Sequence, residues 1–135
     1  MNTRLNPYIT FVDTARPAME FYHSVLGGKL VMNTFREAKL ADNDNIMHAM
    51  LETDGGLVLM ASDTPPGMTP PSGANMSVSL SGDNVPELTG YWNKLAEGAR
   101  EIEAPFEKAP WGDTFGMLTD KFGIRWMVNA ATPKQ

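Results

Sequence analysis

A chain of 135 residues with 42% hydrophobic content has the size of one domain and enough apolar material for one compact core. Its formal net charge of -5 and its lack of any clustered Lys and Arg argue against a nucleic-acid backbone as partner, because such binding relies on grouped cations that release counterions. The absence of cysteine excludes disulfides and thiolate chemistry, and with no bilayer-length apolar run or leader-like segment the expectation is a soluble, cytoplasmic protein without a membrane partner.

Residues 5–12 read as a strand and residues 14–26 as an amphipathic helix, with Pro17 in the first turn where its missing amide costs little. Gly27 and Gly28 stop the helix. A long strand over 29–39, the turn ADNDN at 41–45, a strand over 46–53, the DGG turn at 54–56 and a strand over 57–62 make an antiparallel meander. The segment DTPPGMTPPSG carries four prolines and two glycines and reads as a linker, bounded at 63–74. The pattern then restarts with a strand over 75–81, a helix over 84–96 weakened by Gly90, and strands over 100–108, 114–119 and 124–130.

This restart is a repeat. Adding seventy to residues 7–28 gives 77–98, so that Asp13 falls on Asp83, Phe21 and Tyr22 on Tyr91 and Trp92, and Gly28 on Gly98. Residues 56–62 likewise match 123–129. Asp at the landmark is expected to cap each helix, the aromatic pair to face the sheet, and glycine to end the helix in a left-handed turn. The ten methionines suit a plastic core or an apolar pocket, with most assigned to the core.

The motifs PYITF at 7–11, MEFYHSVLGG at 19–28, MHAML at 47–51, LMASD at 59–63, PWGD at 110–113 and DKFGIRW at 120–126 extend over almost the whole chain. In their order and spacing the sequence resembles the vicinal oxygen chelate superfamily, which includes glyoxalase I and bleomycin-resistance proteins, and specifically its PhnB-like branch. The resemblance implies an α+β fold: two βαβββ modules (residues 1–62 and 75–135 of a single glyoxalase-like domain) forming a curved mixed sheet around a concave cavity, usually within a homodimer. Some members of the branch carry the label of a demethylubiquinone methyltransferase. A methyltransferase using adenosylmethionine would show a glycine-rich turn after a strand of a parallel sheet, whereas the glycines here follow helices.

In metal-using members of the superfamily four ligands project into the cavity, and the motif spacing carries those positions onto Pro7, Met60, Ser77 and Met127. None offers the imidazole or carboxylate that a hard or borderline divalent ion requires. The expectation is therefore no metal and no other cofactor. Alternation along the strands is expected to set Ile9 and Phe11 beside Pro7, Val58 and Ser62 beside Met60, Ser79 beside Ser77, and Arg125 and Asn129 beside Met127. The opposite faces, with Leu57, Leu59 and Ala61, Met76, Val78 and Leu80, and Ile124, Trp126 and Val128, are apolar and belong under the helices.

The candidate ligand-binding residues are His48, Trp111, Arg125, Phe11, Met60, Ser77, Ser79 and Met127. His48, matched in the second module by Phe115, reads either as an acid-base or ligand-bonding group and thus the candidate catalytic residue, or as a packed histidine satisfied by a neighbour. His23 reads as a surface residue. Trp111 suits a cavity mouth or a loop anchor, and Arg125 suits a ligand carboxylate or phosphate, or a bridge to Glu52. Glu101 and Glu103 alternate on a strand with one face solvated, and the hydroxyl row Ser77, Ser79 and Ser81 lacks an activating His and Asp. Three functions remain open: a metal-free small-molecule binder, a lyase or isomerase using His48 as acid-base or as a relocated metal ligand, and a structural module whose cavity its own side chains fill.

Overall fold

The computed structural model describes residues 4–69 and 76–131, and the chain divides into two compact units, Met1–Ser72 and Gly73–Gln135. The first runs β1 (Tyr8–Phe11), α1 (Ala15–Leu26), β2 (Lys29–Thr34), β3 (Ile46–Glu52) and β4 (Val58–Asp63). Its strands form one sheet in the order β1-β4-β3-β2. Strands β2, β3 and β4 pair antiparallel through short turns, and β1 pairs parallel with β4, which requires an intervening crossover of the kind α1 begins. The second unit repeats the plan with β5 (Val78–Gly82), α2 (Val85–Ala96), β6 (Glu101–Lys108), β7 (Thr114–Thr119) and β8 (Arg125–Ala130), in the order β5-β8-β7-β6. Each unit is thus βαβββ with a four-stranded mixed sheet, the α+β architecture the family resemblance implies.

Three expectations about local structure need correction. Asp13 does not cap α1: the N-cap is Thr14, with no side-chain bond, and Asp13 has φ 63° and accepts from Asn45 Nδ2 at 2.7 Å. The cap comes from the far end of the unit. Asp63, only 1% exposed, accepts from the Ala15 amide at 2.9 Å through Oδ1 and from the Ile46 amide at 2.8 Å through Oδ2. Asp63 is therefore the last residue of β4 and a buried fastener of helix and sheet, not the first residue of the linker, of which 70–74 lies outside the described residues together with residue 75. Helix α2 is capped locally, since Asn84 Oδ1 accepts from the Glu87 amide at 3.1 Å.

Strand β2 stops at Thr34 rather than near residue 39. Phe35 is buried, and its amide and that of Arg36 turn to the carbonyls of Asn45 and Asn43. The Arg36 guanidinium then closes the loop by donating to Asp44 at 2.8 Å and Asp42 at 2.6 Å, and the hydrogen bond it gives to Asp44 raises its pKa. The aromatic pairs are the third correction. Tyr22 and Trp92 are buried on the inner stripes of their helices, while Phe21 and Tyr91 are only half-buried, because successive residues lie about 100° apart around a helix. The Trp92 ring stacks on Phe106 of β6 at 5.5 Å, and Gly116 makes room for it: a Cβ there would stand 2.8 Å from two Trp92 ring carbons.

Tyr91 donates its hydroxyl proton to Glu87 Oε1 at 2.7 Å, which pushes the phenol up from 10.0 to about 12. Because the folded value is the higher one, the proton is held more tightly in the native state, so the stability this bond contributes is complete below pH 10 and lost between pH 10 and about 12. In a phenolate-absorbance titration, Glu87→Gln is expected to bring one tyrosine back toward the ordinary range, and an unchanged curve would contradict the assignment.

Candidate functional site

Strand register decides which side chains share a face. In the first sheet Ile9 lies level with Ala61 and Phe11 with Asp63, and Ala49 and Leu51 lie opposite Ala61 and Leu59. These residues, all buried except the half-buried Ile9, form the face covered by α1. The helix-free face carries Tyr8 and Thr10 of β1, Val58, Met60 and Ser62 of β4, His48 and Met50 of β3, and Val31 and Asn33 of β2. Phe11, at 5% exposed, is accordingly a core residue and not a lining residue. The expected grouping of Pro7, Ile9 and Phe11 with Met60 fails because Tyr8, not Pro7, stands level with Met60.

The second sheet follows the same logic. Leu80, Trp126, Val128, Ala130 and Leu118 are buried on the face that α2 covers. The helix-free face carries Ser79 and Ser81 of β5, Arg125, Met127 and Asn129 of β8, and Phe115, Met117 and Thr119 of β7. Ser77 precedes β5 and continues the same alternation. The oily faces come out as expected except at their ends, where Leu57 and Met76 lie outside the strands and are 42% and 82% exposed.

A methionine pair occupies the centre of each helix-free face: Met50 opposite Met60 in the first sheet and Met117 opposite Met127 in the second. All four are half-buried, and of the methionines described only Met19 belongs to the buried core. The assignment of most methionines to the core is thus corrected; these four line faces where a flexible thioether can adapt to what rests on it. An aromatic contact flanks each pair. The rings of His48 and Tyr8 lie 5.9 Å apart, and those of Phe115 and Trp111 meet edge-on at 5.5 Å and 64°. Trp111 is 62% exposed, so it extends the face and is not wedged under the sheet.

Arg125 lies opposite Thr119, and its Nε is buried with no hydrogen-bond partner. Glu52, the bridging partner expected for it, lies in the first unit 3.7 Å from Arg4. Asn129 is held by Asp113, its Nδ2 donating to Oδ2 at 3.1 Å. His23 is exposed at the end of α1, with Nε2 hydrogen-bonded to the Gly28 carbonyl at 2.9 Å, in keeping with a surface role. Glu103 departs from the solvated-strand expectation: one oxygen accepts from the Thr119 hydroxyl at 2.6 Å, and the other is buried and unbonded. Tyr8 and Glu103 are the residues that sequence reasoning missed. Tyr8 becomes visible only through the parallel register, and Glu103 only through the ladder shift of β6 between Ile102 and Ala104.

The donor chemistry bears on the metal question. The side chains at the corresponding strand positions are a phenol (Tyr8), two thioethers (Met60, Met127) and hydroxyls (Ser77, Ser79), and neutral thioethers and hydroxyls do not suit a hard or borderline divalent ion. Among the described residues no group of three or more His, Asp or Glu is placed to hold one. A hollow of about 590 Å³ in the first unit is lined by Arg4, Lys29, Glu52 and Asp54 among others, and none of the sequence-selected candidates lies in it.

Two βαβββ units, each presenting a methionine-centred face opposite its helix, define a class of folds built from a repeated βαβββ module. The profile of the Glyoxalase/Bleomycin resistance protein/Dioxygenase superfamily matches residues 4–128, and the chain belongs to that superfamily. It is 36% identical to protein PA1353 from Pseudomonas aeruginosa, whose crystal structure superposes with a TM-score of 0.87 over 98% of this chain and 100% of that one. It is 28% identical to protein YjdN of Escherichia coli over 93% of both chains. A Bacillus cereus protein described as a putative 3-demethylubiquinone-9 3-methyltransferase, PhnB protein, shares the fold at 24% identity, with a TM-score of 0.75 over 96% of this chain and 100% of that one. No helix among the described residues is long and apolar enough to cross a membrane.

Proposed function

We propose that this protein binds a small, mostly apolar molecule carrying one polar or anionic group on the helix-free face of its sheets, without a divalent ion at the positions its metal-using relatives employ. The observation that carries this reading is the make-up of those faces. Thioether, aromatic and hydroxyl side chains make up those faces, the second also carries a guanidinium whose Nε has no partner, and the strand positions lack an imidazole and carboxylate set. An adenosylmethionine-dependent methyl transfer is not proposed, since both sheets are mixed and the glycines stand at helix ends with φ of 75° at Gly27 and 71° at Gly98, away from any strand-to-helix phosphate turn. A homodimer acting on a small molecule, with no nucleic-acid partner, completes the proposal. Its support is the family resemblance and the net charge of -5, and light scattering tests the dimer.

Elemental analysis of protein purified without chelator, combined with a thermal-shift screen against a metabolite library, tests the binder. A specific ligand at a hundredfold excess over its Kd contributes about 2.7 kcal/mol. Expected are a metal content well below one ion per chain and at least one stabilising compound. One tightly held ion per chain would overturn the metal-free reading, and a flat screen would favour a face filled by its own side chains. The Tyr8–His48 contact favours a second reading, a lyase or isomerase in which His48 moves a proton. Turnover of a bound compound left untouched by His48→Ala would reject it.

A further inference from the structure

We propose that the row Glu103, Thr119 and Arg125 on the second sheet is a two-point clamp for the head group of a carboxylic acid bearing a hydroxyl or amino group on its α-carbon. This inference rests on the small-molecule reading above and names its ligand class. Strands β6, β7 and β8 lie side by side, with Glu101 opposite Thr119 and Thr119 opposite Arg125. The ladder of β6 shifts between Ile102 and Ala104, where Glu103 sits, and the Thr119 hydroxyl holds Glu103 by Oε1 at 2.6 Å. That leaves Glu103 Oε2 and Arg125 Nε as two buried atoms of opposite sense, an acceptor and a donor, neither with a hydrogen-bond partner.

Buried polar atoms are nearly always satisfied, and an unsatisfied pair within one row is the arrangement expected of a site that a ligand completes. The two groups do not close on each other: the ion pairs among the described residues join Arg4 to Glu52 and Arg36 to Asp42 and Asp44. A ligand carboxylate would accept from the guanidinium, in the charge-assisted geometry that arginine favours. A hydroxyl or ammonium on the adjacent carbon would donate to Glu103 Oε2. The rest of the molecule would run along the strands over Met117 and Met127, the next opposed pair on this face, toward Phe115 and the exposed Trp111.

The full-length protein tests this with two probes that differ only in the α-hydroxyl, 3-phenyllactate and 3-phenylpropionate, titrated calorimetrically. The wild type is expected to bind 3-phenyllactate about tenfold more tightly. Glu103→Gln should narrow that gap to about twofold, and Arg125→Met should weaken both probes about tenfold or more. Without any ligand, Arg125→Met should also raise the melting temperature by about 3 °C, because it removes a buried donor that has no partner. Equal affinity for the two probes, no binding of either to the wild type, or full affinity retained by Arg125→Met would overturn the clamp. So would a fall in melting temperature in Arg125→Met, which assigns Arg125 to the framework. A library compound that still stabilises Arg125→Met would sink the clamp while leaving the binder intact, whereas a library with no stabilising compound at all would sink the binder itself.

Discussion

Gly28→Ala is expected to destabilise the protein by about 3 kcal/mol, whereas Gly98→Ala at the matching landmark of the second unit costs about 1–2 kcal/mol. Both glycines have positive φ, 87° and 71°, so either substitution forces an L-residue into a left-handed conformation. The surroundings differ. A Cβ at Gly28 would overlap the carbonyl oxygen of Glu52 and stand 2.7 Å from the Cα of Thr53, so the clash is with the backbone of the β3–β4 turn and cannot be relieved by a side-chain rotation. At Gly98 the nearest atoms belong to the flexible Lys121 side chain, at 3.6 Å. Urea unfolding of the two variants measures the difference directly, and equal losses would show that conformation alone sets the cost at both sites.

Asp63→Ala is expected to cost about 3–5 kcal/mol. One carboxylate holds the leading amide of α1 and the first amide of β3, hydrogen bonds to a charged group contribute about 1.5–3 kcal/mol each, and removal strands both amides in the interior. Asp63→Asn rescues at most one bond, because its amide nitrogen is a donor facing a donor. The local signature is faster hydrogen exchange at Ala15 and Ile46 than at other core amides. A loss below about 1 kcal/mol, the size of an ordinary exposed cap, would mean that water or a shifted backbone replaces Asp63.

The order and type of elements were readable because the repeat imposes them twice: apolar spacing locates both helices, and glycine and asparagine turns locate both meanders. What hydrophobic pattern cannot supply is register. Counting from Pro7 set Phe11 on the open face, and only the pairing of Tyr8 with Met60 shows that the parity is reversed, which moves Phe11 into the core and brings Tyr8 beside His48. Strand β2 looked longer than it is because Phe35 continues the apolar pattern while its backbone has already turned. Asp63 read as the opening of a proline-rich linker because its partners lie 48 and 17 residues away. Met60, Met127, Ser79 and Arg125 were assigned to the helix-free faces correctly because, within one strand, alternation suffices. Glu103 escaped because the β6 ladder slips where it sits.

The way α1 is capped has a consequence for vectorial synthesis. As the polypeptide emerges, the first helix has its leading amide open until a residue 48 positions downstream has been made, so its docking must await the final strand of its own module. The second helix, served by a side chain three positions away, carries its closure with it from the first turn.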